Sequence, residues 1–322
     1  MEEYRKRIDL LDEKGRLTRP GRSSTDDFFY NKENAARLGN RAEWERYFVT
    51  SPRFALEIRY GHTQNSGTAE VCLTDLETDE RFSSGQTQRF PGDAFDLDFS
   101  CDEEHTVKFE NNDLYLLLTL YGGVRRIQFR STRFEGDLSC GNGDDGIYTA
   151  EPLSGKCFLY RGAKCFSELS GYLRMHNLDY VLDGRTFFFS ESIRALLPRS
   201  LPQLYAFGSA EIDGHVLGLS LTDGADAAAE NALFYDGRLC KLDRVYIKRA
   251  AADPLRPWYI SDSERRLHLE FSPEHICRCR RSIFKKRDTQ QYFGTLKGTA
   301  ALPEGETLKI ENMIFACEDK PY

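Results

Sequence analysis

Phe54-Ala55-Leu56-Glu57-Ile58-Arg59-Tyr60 sets the fold class. Large apolar residues at 54, 56, 58 and 60 alternate with one small and two charged residues, which is the period of two of a half-buried pleated strand. Val71-Cys72-Leu73, Val107-Lys108-Phe109 and Ile127-Gln128-Phe129 repeat the pattern. Leu114 to Leu118 is continuously apolar instead, and predicts a strand covered on both faces. Between such runs stand Asn111-Asn112 and Gly122-Gly123, then Asp183-Gly184, Asp213-Gly214 and Asp236-Gly237, with Pro303-Glu304-Gly305 near the end. Asp-Gly suits two-residue hairpins because both central residues need positive φ. An all-β chain, an antiparallel meander, is the expectation.

Helical signals are confined to the start. Asn31 to Leu38, followed by Gly39, predicts one short helix, and Tyr4 to Leu11 offers a second. The polar stretch Ser139-Cys140-Gly141-Asn142-Gly143-Asp144-Asp145-Gly146 carries little that a core could use and reads as a linker. It would divide the chain into domains 1–143 and 144–322, each with enough short strands for an antiparallel barrel or sandwich.

The 322 residues are 40% hydrophobic, 30% charged and 12% aromatic, with a formal net charge of −7. That aromatic share suits strands and opposes disorder, and the negative balance opposes a general nucleic-acid binder. The longest apolar run, Leu114 to Tyr121, contains Thr119 and falls far short of the roughly 20 residues of a membrane span. Met1 to Arg7 mixes both charge signs and leads into no apolar segment, so the expected location is the cytoplasm. The nine cysteines mostly stand singly, as Cys72, Cys101, Cys140, Cys240 and Cys317, and read as small buried hydrophobes. Cys277-Arg278-Cys279 is accompanied by no second pair at zinc spacing, and the six histidines are scattered, so neither a metal nor a cofactor is expected. Arg278, Arg280, Arg281, Lys285, Lys286 and Arg287 form one basic concentration, read as the charged face of a strand pair. Nucleophile-elbow, phosphate-loop and dinucleotide motifs are absent.

Three stretches carry a family pattern. The first is Leu10-Leu11-Asp12-Glu13-Lys14-Gly15-Arg16-Leu17, with Tyr30-Asn31 and Glu43-Trp44-Glu45-Arg46-Tyr47 behind it. The second is Glu230-Asn231-Ala232-Leu233-Phe234-Tyr235-Asp236-Gly237-Arg238-Leu239-Cys240-Lys241-Leu242. The third runs from Pro257-Trp258 through Leu267 to Pro273 and on to Gln291-Tyr292-Phe293-Gly294. Their order and spacing resemble the bacterial family catalogued as domain of unknown function 2804, over nearly the whole chain. The resemblance implies two consecutive lipocalin-like barrels, distantly like the hydroxyneurosporene synthase group, whose members handle apolar small molecules. It implies no established chemistry. Glu191-Ser192-Ile193-Arg194-Ala195 stands where relatives carry an acid-and-arginine motif.

Candidate residues follow. Lys164, in Tyr160-Arg161-Gly162-Ala163-Lys164, could meet an anionic head group at a barrel mouth, against the plainer reading of a solvated strand-end lysine. Glu191 follows Phe187-Phe188-Phe189, and a carboxyl beside apolar walls can act as a proton donor, with Arg194 as its pair or as a substrate anchor. A structural ion pair is the plainer reading of the two. Glu230 and Asn231 offer ligand hydrogen bonds or satisfy backbone at a strand start. Trp258 lines a cavity or fills a core, and Tyr205 and Gln291 complete the ligand-binding set. The leading expectation is a binder of an apolar or amphipathic small molecule. The alternatives are a cofactor-independent lyase, hydratase or isomerase using Glu191, and an interaction protein whose barrels are filled by their own side chains.

Overall fold

The computed structural model of the chain describes all residues except 1–6, 36–40, 64, 176–177, 199–201, 225–229, 251, 280–288 and 322. The basic concentration lies almost wholly outside the described residues, as do the side chains of Cys277 and Cys279. Nearly every described element is a strand, and the single described helix is Lys32–Ala35. The second expected helix is not formed where it can be seen: Ile8–Asp9 pairs in parallel with Phe28–Phe29.

The chain forms two compact units, Met1–Pro198 and Arg199–Tyr322. The expected boundary at 143/144 falls within the first of these units. Ser139 to Gly141 ends the strand Phe134–Gly141, and Gly146 opens the strand Gly146–Pro152, both inside the first unit. Small polar residues there make a tight connection between sheets, with Asn142 N donating to Gly123 O at 2.9 Å and Gly146 N to Ser24 O at 3.1 Å.

Beside that two-stranded parallel pair, two antiparallel sheets make the first unit. The large one runs, in spatial order, Gly21–Ser23, Gly146–Pro152, Phe158–Phe166, Phe187–Leu196, Arg41–Thr50, Phe54–Thr63, Ser66–Asp75 and Arg81–Arg89. The small one runs Leu178–Tyr180, Ser170–Met175, Phe134–Gly141, Val124–Ser131, Leu114–Tyr121 and His105–Glu110. Their facing sides share one core, in which Val49, Leu56, Ile58, Val71 and Phe188 meet Leu116, Leu118, Ile127 and Phe129. At about 25 cal/mol per Å² of apolar surface, each such side chain contributes roughly 1.5–3 kcal/mol.

Phe54–Thr63 is buried on both faces, not one. Its even-numbered apolar residues face the core, while Glu57 and Arg59, on the other face, are 5% and 4% exposed and paired with each other. Leu114–Tyr121 errs in the opposite sense. Leu114, Leu116, Leu118 and Leu120 are buried, but Tyr121 on the other face is 77% exposed. An unbroken apolar run cannot report how many faces are covered, because the neighbouring layer is supplied from elsewhere in the chain.

The second unit is one nine-stranded antiparallel sheet. Its order is Arg238–Lys241, Ala232–Tyr235, His215–Asp223, Pro202–Ile212, Thr307–Pro321, Thr289–Ala301, Leu267–Cys279, Trp258–Asp262 and Val245–Lys248. It curls on itself: Ile247 N, at one edge, donates to the Asp223 carboxylate at 2.8 Å. Leu219, Leu233, Trp258, Leu269, Phe271 and Phe315 fill its concave side. Pro273, which cannot donate to a ladder, sits at a bulge.

Gly122-Gly123, Asp213-Gly214 and Asp236-Gly237 are two-residue hairpin turns with both φ positive, as at Asp236 (48°) and Gly237 (73°). Asp183-Gly184 is not. It connects Leu178–Tyr180 to Phe187–Leu196, two strands of different sheets.

At Gly61 the backbone φ is +143°, and an added Cβ would lie 2.0 Å from the Glu43 carbonyl oxygen on the neighbouring strand. Backbone there cannot yield without opening the ladder. Gly61→Ala is expected to cost about 3 kcal/mol, read as a lowered urea midpoint with an unchanged slope; a midpoint equal to wild type contradicts the close approach.

Candidate functional site

The core-facing side of the large sheet is apolar at one end and charged at the other. On Arg41–Thr50, Val49 and Tyr47 give way to Glu45 and Glu43; on Phe187–Leu196, Phe188 gives way to Ser190, Ser192 and Arg194. All of these side chains are buried. The stretch Pro91 to Glu104, which has no strand or helix, lies against the charged end with Phe95, Leu97, Phe99 and Cys101 buried. Its backbone is bound by side chains of the sheet and by Asp26, which lies outside it. Leu97 N donates to Glu43 Oε2 at 2.8 Å, Arg194 Nε donates to Phe99 O at 2.9 Å, and Asp102 N donates to Asp26 Oδ2 at 2.9 Å.

Three groups there, Glu43, His62 and Asp96, offer ligand atoms within 4.8 Å of one another. Their oxygens already face protein donors. Arg41 reaches Glu43 Oε1 at 3.1 Å and Asp96 Oδ1 at 2.9 Å, Lys32 Nζ lies 2.6 Å from Asp96 Oδ2, and Tyr30 OH donates to Glu43 Oε1 at 2.7 Å. A lysine and an arginine supply the compensating charge, so the cluster is an ion-pair network and not a cation cage.

Further along the same face, Asp102 collects four donors. Its Oδ1 accepts from Arg125 Nη2 at 3.0 Å and Asn142 Nδ2 at 2.6 Å; its Oδ2 accepts from Tyr148 OH at 3.0 Å and Lys164 Nζ at 3.3 Å. Burial opposes ionisation of Asp102, but Lys164, Arg125 and the two neutral donors outweigh it and hold the carboxyl below its ordinary value. Burial, and then Asp102, push the Tyr148 phenol far above its ordinary value. Two glycines admit that ring. A Cβ at Gly146 would meet it at 2.5 Å, and one at Gly162, its cross-strand partner, at 3.0 Å. Beside this cluster, Tyr160 OH donates to Asp26, whose carboxyl is raised because burial outweighs the pull of Arg7.

Of the residues expected from sequence, Lys164 belongs to this cluster, and it is 4% exposed, not a solvated strand end. Glu191 and Arg194 are not a pair. Three positions apart on one strand, they point to opposite faces. Arg194 Nη2 binds Glu45 Oε1 at 2.8 Å on the core side. Glu191 binds Arg46 at 2.6 Å and Arg161 at 2.5 Å on the other. In the second unit, Tyr205, Glu318 and Gln291 stand in one cross-strand row on the face opposite the apolar core, and Gln291 Nε2 donates to Glu318 Oε1 at 2.7 Å. Asn231 accepts from Thr222 N at 2.7 Å and so serves the backbone. Its neighbour Glu230 is 2% exposed. Trp258 is core, edge-on to Phe271 and Tyr292, with its Nε1 donating to Pro254 O at 2.9 Å. Asp102, Arg125, Asn142 and Tyr148 were missed. Asn142 lies in the stretch read as a linker, and the others carry no local motif. The usable signal was polar residues at core-facing parity, such as Arg125 two residues before Ile127.

Glu43 gives the cluster a pH signature. Burial alone would raise its carboxyl, yet His62, Arg41 and the Leu97 amide lower it from 4.5 to about 2. Because the folded value lies below the unfolded one, this contributes on the order of 3 kcal/mol above pH about 4.5, lost as pH falls through about 2. The stability gap between wild type and Glu43→Gln should therefore narrow over that window in urea unfolding; a gap independent of pH assigns the effect to shape.

None of the curated proteins compared with the chain matches it. Solved structures that share its fold include the following two. Kievitone hydratase from Nectria haematococca is 10% identical, with a TM-score of 0.50 over 97% of this chain and 98% of its own. A putative AttH from Nitrosomonas europaea is 12% identical, with a TM-score of 0.53 over 97% and 99%. The all-β chain, with its curled antiparallel sheets, thus has the lipocalin-like architecture of these proteins. A family model covers residues 1–321 as well, and the chain belongs to the family described as domain of unknown function (DUF2804).

Proposed function

We propose that the first unit binds a small molecule with an apolar body and an oxygen-bearing polar end. The observation that carries this reading is the convergence of Arg125, Asn142, Tyr148 and Lys164 on Asp102, beside an apolar core. Two cations share one carboxylate, so the cluster keeps a net positive charge in a place where uncompensated charge is costly. An electron-rich oxygen of a ligand offsets it. Sites for small molecules combine apolar walls with a few convergent polar groups of this kind, and a barrel interior provides both.

A second reading, cofactor-independent addition of water to a double bond, is favoured by Asp26. Its carboxyl is raised by burial, and a protonated acid can give its proton to an alkene carbon while water attacks the other carbon. The proton lost by that water then restores the acid. A hydratase among the structural neighbours supports the same chemistry. Glu191, held by two guanidiniums on the opposite face, is not placed to serve it.

Native mass spectrometry of gently purified protein should show a retained small-molecule mass. Lys164→Met should weaken its retention about 10-fold, the value of one charge-assisted hydrogen bond; a clean unliganded mass and no uptake of an apolar reporter dye would reject the reading. For the second, Asp26→Asn should abolish any hydration measured by product chromatography, whereas undiminished turnover removes Asp26 from the chemistry.

A further inference from the structure

His105, Leu120 and Arg125 stand in one register row across three adjacent strands of the small sheet, His105 opposite Leu120 and Leu120 opposite Arg125. Leu120 is buried on the core side. Neighbouring strands lie about 4.8 Å apart, so the backbones of His105 and Arg125 are roughly 10 Å apart with the leucine between them.

The His105 ring stacks on Phe99 at 3.9 Å, 4° from parallel. Its Nδ1 lies 2.7 Å from Glu103 O, and because a carbonyl only accepts, Nδ1 carries the proton. Nε2 is then a lone-pair acceptor. It is shielded from solvent and has no hydrogen-bond partner among the described residues. Burial lowers the imidazole's pKa and favours this neutral form, with the charges of Glu45, Arg125 and Arg194 acting on it as well. Arg125 is in the complementary position. Its Nη1 donates to Tyr47 OH at 3.0 Å and its Nη2 to Asp102, but its shielded Nε–H has no partner among the described residues. One acceptor and one donor are thus left unsatisfied on either side of an apolar floor, and an occupant that supplies both partners would satisfy them.

We infer that His105 and Arg125 read the polar end of the ligand, and that this ligand is a neutral hydroxy-carbonyl compound, a phenol or enol that also bears a carbonyl. Its hydroxyl donates to His105 Nε2, its carbonyl accepts from Arg125 Nε, and its apolar body lies against Leu120. The inference rests on the reading that the first unit binds a small molecule, and it adds the ligand's class. A ligand with only a carboxylate brings no proton for Nε2. An amine would bring positive charge to a face already rich in it.

The test compares 7-hydroxycoumarin with 7-methoxycoumarin by fluorescence titration of the full chain, below the pH at which the phenol ionises. The hydroxy probe should bind at least about 10-fold more tightly, because its methyl ether leaves Nε2 unpaired. His105→Leu should erase that preference while leaving the methoxy probe's affinity unchanged; a merely structural histidine would weaken both probes alike. Should that variant not fold, nitrogen NMR of histidine-labelled wild type decides, since the Nε2 resonance should move with the hydroxy probe and not with the methoxy one. Equal affinities, or a preference that survives in His105→Leu, overturn the inference. Neither probe binding to protein that still retains a small-molecule mass overturns the ligand class alone. No retained mass and no binding of an apolar dye overturn the site itself.

Discussion

The guanidinium of Arg194 is the interaction on which the first unit's interior depends. It is fully buried, bound to Glu45 Oε1 at 2.8 Å, to Phe99 O at 2.9 Å and to Ile193 O at 3.0 Å, and it lies 4.9 Å from the Phe99 ring centre. A charge in that position is tolerable only while its partners stay in place, and breaking such a pair costs about 3–5 kcal/mol. One side chain therefore couples two strands of the large sheet to the irregular stretch Pro91 to Glu104. The same stretch carries Asp102 and ends beside His105, so the geometry of the candidate site is inherited from that anchor.

A division of labour along one face of the sheet follows. At the apolar end, Val49, Leu56 and Phe188 interdigitate with leucines of the small sheet and supply cohesion. At the other end nearly every buried polar atom is spoken for by a named partner, which costs stability relative to apolar packing but fixes positions closely. Against that background Asp102, with two cations on one carboxylate, and His105 and Arg125, each with an unsatisfied nitrogen, stand out as departures from local balance. Such departures are where a fold that is otherwise self-satisfied has room for a ligand's chemistry.

The candidate site was only partly legible beforehand. Lys164 was visible as a lysine suited to an anionic head group, although its burial was not. Glu191 and Arg194 drew notice as an acid and an arginine behind Phe187-Phe188-Phe189, but strand parity separates them, and each found its partner on a neighbouring strand, Arg46 and Glu45 respectively. Asp102, Arg125, Asn142 and Tyr148 come from two strands, Val124–Ser131 and Gly146–Pro152, and from two connections, dispersed over 47 positions of sequence, counted from 102 to 148 inclusive. No spacing rule joins them, since only the closing of the large sheet over the small one brings them together. Trp258 and Asn231 show the converse, being conspicuous residues whose work is packing and backbone satisfaction.

Alternation and turn chemistry are local, and so the sequence by itself determined that this chain is all-β and antiparallel, with hairpins at Gly122-Gly123, Asp213-Gly214 and Asp236-Gly237. It could not determine which faces are covered, where the chain divides, or which charges meet. Those depend on long-range strand order, in which Phe187–Leu196 returns to pair with Arg41–Thr50 and draws residues up to Pro198 into the first unit. Pairing between strands some 145 residues apart leaves no trace in any short window, because its stabilisation comes from burial that exists only once the sheets have closed.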